Sequence, residues 1–461
     1  MFNPAKAVLH CRPARPRDDP FYRPPSDLDA LPPGTVIRSR VVRLGFLGAL
    51  PQPNMSAWQL AFRSTDLHGC AEVAVTTVIA PKGHGPGAPQ RLVAYQCAID
   101  AVSDRCFPSY GLQLGAVVPG ALPPLELTQI GFLLERGFVV SAADHEGLGG
   151  VFGAPREPGH RVLDGIRATL AFDPVQLAAD TEVGILGYSG GGMASAWAAE
   201  MAPSYAPELN LVGAVLGSPV GDPGEAFLKL NRTLFAGLPA LVIAGLAKVY
   251  PELSRVIDEH ASIDGRRRLK RLEDLTTAAA VIAHRHDDFD DFLDSPLADV
   301  LALPEVLDVI ADLRLGERIP ECPLLVVQAV HDRIIDVLDV DTQVERYVEG
   351  GATVRYVRDR FSEHIGLMLI AQPLMISWLE ARFSSAPTAT GTATVRSLLL
   401  SPASWSGYAD LVGTTLRLVV GRGGATRTDP MGEVDESGNA SASRMNDVRM
   451  GSRQRDLRTS G

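Results

Sequence analysis

The chain has 461 residues, 46% of them hydrophobic and 21% charged, enough to bury one large domain with insertions or two domains. Its 43 Lys and Arg against 54 Asp and Glu leave a net charge of −11, which argues against nucleic acid as the main partner, because phosphate binding needs clustered cations. No apolar run is long enough for a spanning helix, and the stretch Met1 to Pro25 has no apolar h-region, so no signal peptide is visible.

Residues 1–35 read as an irregular, proline-rich arm. Strands are expected at Val36 to Leu47, Glu72 to Ala80 and Leu92 to Cys97, with a Gly/Pro loop at Lys82 to Gln90. Leu125 to Arg136 has the helical spacing of Leu, Ile and Phe, and Gly137 to Val140 opens a buried strand that ends at Asp144. An amphipathic helix follows at Arg161 to Ala171. Val183 to Tyr188 and Leu211 to Gly217 are further strands, separated by the alanine-rich stretch Met193 to Ala202. Strands alternating with helices at this spacing predict an α/β fold with a mostly parallel sheet, the first part of its core spanning 36–221.

Residues 222–319 break the rhythm. Leu228 to Val249 is apolar with a helical pattern, Arg266 to Arg271 is basic, Asp287 to Asp291 is acidic, and Val300 to Leu313 is again helical. This reads as a helical insertion, a lid or cap, with Arg266, Arg267 and Arg268 on a solvated helix face. The core resumes over 320–384 with strands at Leu324 to Ala329 and Val354 to Val357 and a closing helix from Ile365 to Phe383. Over 385–461 Ser, Thr, Gly and Arg dominate and no lysine occurs; Leu411 to Val420 suggests one strand, and 422–461 read as disordered.

The most informative five residues are Gly187-Tyr188-Ser189-Gly190-Gly191. They lie between an apolar strand and an alanine-rich helix, the G-x-S-x-G nucleophile elbow of an α/β-hydrolase. A serine hydroxyl becomes a good nucleophile only when a base takes its proton, usually a histidine oriented by a carboxylate. In this fold the chain order is Ser, acid, His. Asp332 directly follows the strand Leu324 to Ala329, and His364 follows the next strand. His331 would need an acid before it in the chain, and His260, His284 and His286 fall in the insertion, where surface positions are expected. Asp336, Asp339 and Asp341 compete with Asp332 but read as acids at a helix N-terminus. Ser189, Asp332 and His364 are therefore the candidate triad.

An oxyanion needs two preorganised N–H donors. Gly190, the residue after the nucleophile, is one candidate, and the segment Ala98-Ile99-Asp100-Ala101 is placed to supply the other. Asp144-His145-Glu146-Gly147 looks like an acid–base or metal cluster, but its order is wrong for the triad and further ligands are not spaced for a metal. It reads as a hydrogen-bonding turn. Five cysteines (Cys11, Cys70, Cys97, Cys106 and Cys322) show no zinc-type spacing, and Cys97 and Cys106 could pair across a loop.

The chain resembles the secretory lipase family typified by Candida lipase A. The resemblance rests on Asp19 to Tyr22, Tyr95-Gln96, Cys106 to Tyr110, Asp144 to Gly147, Val162 to Arg167, Gly187 to Gly191, Asp332 and His364, and covers roughly residues 15–385. It implies an α/β-hydrolase with a helical lid over 222–319, acting on acylglycerols and other carboxylic esters; the serine mechanism expected here needs no metal or organic cofactor. It implies Ser189, Asp332 and His364 as the triad, and Asp100 beside Gly190 in the oxyanion hole. Family members usually carry a signal peptide, which suggests secretion, and this chain shows none. A family cysteine matched by Cys106 pairs in the fungal enzyme with a cap cysteine, but residues 222–319 hold none. The stretch after residue 385 has no counterpart in the resemblance. An acyltransferase or peptidase on the same elbow, or a binding protein on a decayed hydrolase scaffold, are the competing expectations.

Overall fold

A single central sheet of ten strands organises the computed structural model, which describes residues 12–426 apart from Pro86. The strands are β1 (Val36–Val42), β2 (Met55–Thr65), β3 (Ala71–Pro81), β4 (Arg91–Gln96), β5 (Val139–Ala143), β6 (Glu182–Tyr188), β7 (Leu211–Gly217), β8 (Leu324–Ala329), β9 (Val354–Asp359) and β10 (Gly391–Val395). Their order is β1-β2-β3-β5-β4-β6-β7-β8-β9-β10. The β1–β2, β2–β3 and β3–β5 pairs are antiparallel, and every pair from β5–β4 onward is parallel. The parallel strands are nearly continuous apolar runs because helices cover both faces. On one face, α2 (Glu157–Leu170) and α3 (Gly190–Tyr205) bury Val162, Ile166 and Trp197 against the sheet. On the other, α1 (Pro123–Leu134) buries Leu127, Ile130 and Leu133.

The insertion 222–319 is built of helices joined by loops: α4 (Pro223–Leu230), α5 (Gly237–Leu246), α6 (Pro251–His260), α7 (Ile263–Arg271), α8 (Thr277–Ala283), α9 (Leu297–Leu301) and α10 (Pro304–Asp312). The continuous helix suggested by Leu228 to Val249 is two helices. Arg232 adopts a left-handed φ of 65° between them, and Thr233 donates its hydroxyl back to the Leu230 carbonyl. Polar contacts fasten this cap to the core. Arg156 grips Asp312 with both terminal nitrogens, Lys229 pairs with Asp336, and Thr277 donates to the Ile99 carbonyl.

After β8, α11 (Val337–Glu349) leads into β9, followed by α12 (His364–Ile370) and α13 (Gln372–Arg382). The single closing helix expected over Ile365 to Phe383 is thus two, bent by 49°. Pro373 sits at the start of the second, where its missing N–H costs nothing. No single helix among the described residues is long and apolar enough to cross a membrane, and the bent pair buries Leu367, Met375, Ile376 and Leu379 in the core.

Two expectations for the region after 385 are corrected. Residues 391–395 are not a low-complexity tail but the edge strand β10, parallel to β9. Leu411 to Val420 is not a strand; it lies largely in α14 (Pro402–Val419). Its β-branched residues suggest a strand, but Leu411, Thr414 and Leu418 recur at helical spacing and pack toward α1, with Gly131 against Thr414 and Leu418. Tertiary packing overrides local propensity here. The disorder expected over 422–461 falls, from residue 427 on, outside the described residues. The strand β2 adds an element that the sequence pattern did not single out, whereas α11 begins where Asp336, Asp339 and Asp341 read as acids at a helix N-terminus.

Candidate active site

Ser189 stands between the end of β6 and the start of α3, with φ 56° and ψ −122°. The glycines around it explain how so sharp a turn is accommodated. A Cβ on Gly187 would be driven into the Gly191 carbonyl, and one on Gly191 into the Gln96 carbonyl. Both neighbours are backbone and cannot yield.

His364 is the first residue of α12, and its side chain is buried between two partners. Nδ1 lies 2.8 Å from Oδ2 of Asp332, and Nε2 lies 2.9 Å from Oγ of Ser189. With Asp332 ionised, Nδ1–H donates to the carboxylate and Nε2 accepts from the serine hydroxyl. Asp332 is buried on the turn after β8. Its Oδ1 accepts from the Ile334 and Ile335 backbone N–H groups at 2.8 and 2.9 Å, and its Oδ2 also accepts from Gln328 Nε2 at 3.2 Å. The backbone of His364 is held as well. Tyr188 donates to its carbonyl at 2.7 Å, and Ser218 donates to the Tyr188 hydroxyl at 2.9 Å.

Of the competing residues, Asp336 and Asp341 have other partners. His331 is exposed. Asp336 caps α11 through the Leu338 N–H and pairs with Lys229, and Asp341 pairs with Arg358. His284, expected at the surface, is buried and bonded to Asp287. Supporting residues missing from the sequence reading are Gln328, Tyr188 and Ser218. Gln328 carried a signal: it is a polar side chain in the otherwise apolar run of β8.

Gly190 opens α3, where backbone N–H groups have no acceptor within the helix. Asp100 lies beside it: a Cβ on Gly190 would collide with Asp100 Oδ1. Asp100 itself has φ 46° and is buried. Burial pushes its carboxyl up to about 6, against the opposing pull of His364. Beneath it, the Glu146 carboxyl is pushed well up by burial and by the Asp100 charge, and faces the backbone N–H groups of Asp100 and Ala101. The 144–147 segment is the hydrogen-bonding turn its sequence suggested. Asp144 accepts from the Ser109 N–H at 2.9 Å, and His145 donates from Nε2 to the Cys97 carbonyl at 2.8 Å. Among the described residues no group of His, Cys, Asp and Glu side chains could hold a metal ion, and Cys70, Cys97, Cys106 and Cys322 are all free thiols.

A cavity of about 60 Å³ opens beside Ser189, Gly190 and Asp100. Its remaining walls are apolar, with Phe227, Leu238 and Val242 from the cap and Ile334 and Ile335 from the Asp332 turn. A larger cavity of about 160 Å³ lies inside the cap, and Pro223, Phe227 and Val242 line both spaces. The arrangement can take a proton from the serine, hold an acyl group in an apolar space and direct N–H groups at one face of Ser189.

Comparison with known proteins agrees with this architecture. The model of the secretory lipase family matches residues 112–391. Lipase A of Arthroderma benhamiae is 33% identical over 85% of this chain and 85% of its own. A Mycobacterium tuberculosis protein named a probable inactive lipase is 50% identical over 89% of this chain and 92% of its own. The crystal structure of Candida antarctica lipase A superposes with a TM-score of 0.78 at 27% identity, covering 87% of this chain and 95% of that one.

Proposed function

Because the chain belongs to the secretory lipase family and has the α/β-hydrolase fold, we propose that it hydrolyses carboxylic esters of lipids through an acyl-enzyme formed on Ser189. The observation that carries this reading is the unbroken relay from Asp332 through His364 to Ser189 at 2.8 and 2.9 Å. Ser189 Oγ attacks the ester carbonyl while His364 Nε2 takes its proton, and Asp332 stabilises the imidazolium that forms. The carbonyl oxygen becomes an oxyanion, which accepts from the backbone N–H groups of Gly190 and Asp100. Collapse expels the alcohol, protonated by His364. Water, deprotonated by the same nitrogen, then attacks the acyl-enzyme and releases the acid. The acyl group lies against Phe227, Leu238 and Val242, and the cap over 222–319 acts as the lid.

One relative bears a name denoting a probable inactive lipase, so activity of this chain is the point to test. Labelling of the wild type by a fluorophosphonate probe, together with p-nitrophenyl ester hydrolysis that Ser189→Ala abolishes, supports the reading. A wild type that is neither labelled nor active would leave a non-catalytic protein on this scaffold.

A further inference from the structure

The outer face of α14 is reversed in polarity for a surface helix. Trp405, Val412, Leu416 and Val419 lie on one stripe at spacings of seven, four and three, and all are exposed, Trp405 by 59% and Leu416 by 62%. The charged residues of this helix face elsewhere: Arg417 pairs with Glu135, and Asp410 with Arg136. The helix is already anchored by its opposite side, where Thr414 and Leu418 are buried. Its apolar stripe therefore contributes nothing to the core.

The stripe continues toward the loop that carries His364. Trp405 Nε1 donates to the Leu399 carbonyl, and Tyr408 donates to the Ile370 carbonyl at the end of α12. One buried carboxylate, Asp359, accepts from the N–H groups of Phe361 and Leu398 and gathers the two loops together. Phe361, Ile365, Leu369 and Leu400 are exposed around this corner. Of the 21 exposed large apolar side chains among the described residues, ten fall within 361–420. Scattered single residues need no explanation, but a concentration of this size marks an interaction surface.

Charge identifies the occupant. Between residues 360 and 426 the exposed charged residues are Arg360, Arg396 and Arg422, while Glu363, Glu380 and Asp410 are half-buried, the last two beside Arg136. A chain of net charge −11 thus presents an apolar stripe with only arginines as its exposed charges. Self-association through a two-fold contact would bring these arginines toward one another. An anionic lipid surface satisfies both features, taking the apolar side chains into its acyl boundary and the guanidinium groups among its phosphates. We infer that α14 and the Phe361 corner form the docking surface for an anionic lipid–water interface, seating the molecule beside the His364 loop. This inference rests on the ester-hydrolase reading for what the docking serves, but not for whether it occurs.

The test is flotation of the full chain with phosphatidylcholine vesicles prepared with and without phosphatidylglycerol. The wild type is expected to float with the anionic vesicles and to be released by salt. Combined Trp405→Ser, Val412→Ser and Leu416→Ser substitution should weaken this binding at least about tenfold, and Arg396→Ser or Arg422→Ser about fivefold each. Hydrolysis of a soluble short-chain ester should be unchanged in all of them, which also reports correct folding. Wild-type protein that stays with the soluble fraction, serine variants that float like the wild type, or a dimer that the triple substitution splits would each overturn the docking surface. Loss of the hydrolase reading gives a different pattern: vesicle binding intact with no soluble-ester hydrolysis in any form.

Discussion

His364 donates its Nδ1–H to Oδ2 of Asp332 across 2.8 Å, and this leaves Nε2 to accept from Ser189. The carboxylate cannot swing away, because two backbone N–H groups and Gln328 hold it. Asp332→Asn keeps the shape but offers His364 an N–H in place of an acceptor, which favours the tautomer with the proton on the wrong nitrogen. On the ester-hydrolase reading, kcat should fall by about 10³–10⁴ with little change in Tm. Gln328→Ala, which removes one of several restraints, should cost about tenfold or less. Comparable activity of Asp332→Asn and wild type would show that the imidazole is oriented by something else.

Asp100 makes a prediction about pH. Its folded carboxyl is pushed up to about 6 from an ordinary value of 3.8 because it is buried. Between these values the folded chain holds a proton that the unfolded chain has released, so this residue's contribution favours folding less as pH rises through the window. Above pH 6 a buried negative charge remains as a penalty, on the order of 1–3 kcal/mol. Asp100→Asn removes it. The Tm of the variant relative to wild type should therefore rise between pH 4 and pH 7 (roughly the span of the shift), measured by calorimetry at both. On the ester-hydrolase reading, an ionised Asp100 beside Gly190 also opposes a developing oxyanion, so the same variant should gain relative rate on the alkaline side. Parallel stability curves for the two proteins would contradict the raised carboxyl.

The fold was legible wherever one periodicity ran unbroken. β7 and β8 begin and end where their apolar runs do, and Gly187 to Gly191 announced its turn because glycine is needed at each tight approach. Chain order then selected Asp332 and His364 without any contact information. What the sequence hid depends on distant neighbours. Whether Leu411 to Val420 becomes strand or helix is decided by α1, nearly three hundred residues earlier in the chain (on the order of 280). That the Asp100 and Glu146 carboxyls are buried next to each other is visible only once the chain is folded. The supports Tyr188 and Ser218 act through a carbonyl of another loop, which spacing does not report.

The arm before β1 is more than an irregular leader. Arg15 and Arg17 both pair with buried Asp104, beside the Ala98–Ala101 loop. Arg17 also reaches the Glu273 carbonyl and Asp274 in the cap. Two cations thus bind one core carboxylate and one cap segment at the same time. Asp104→Ala leaves them without their buried partner and should cost about 1–3 kcal/mol. The arm should become open to limited proteolysis while residues 36 onward resist. Unchanged proteolysis of the arm would show that Phe21 and Tyr22, which pack in a core cluster with Ala61 and Val75, anchor it unaided.

Val242 and Phe227 stand between the cavity of about 60 Å³ at Ser189 and the cavity of about 160 Å³ inside the cap. On the ester-hydrolase reading, a short acyl group needs only the first space, whereas a long one must pass these two side chains to bury its remaining carbons. Each methylene that reaches apolar surroundings contributes about 0.8 kcal/mol, so the second space is worth most to long chains. Val242→Trp fills the passage from α5. It should lower kcat/KM for long-chain p-nitrophenyl esters by about 10–100-fold, because several methylenes lose their burial. Acetate and butyrate esters should stay within about threefold of wild type, since their contacts at Leu238 and Ile334 remain. Phe227→Ala widens the same passage and should shift preference the other way, at some cost in stability from the lost stacking on Phe289. Equal losses for short and long esters in Val242→Trp would mean that acyl chains leave the site by another route, and that the cap cavity serves the packing of its helices alone.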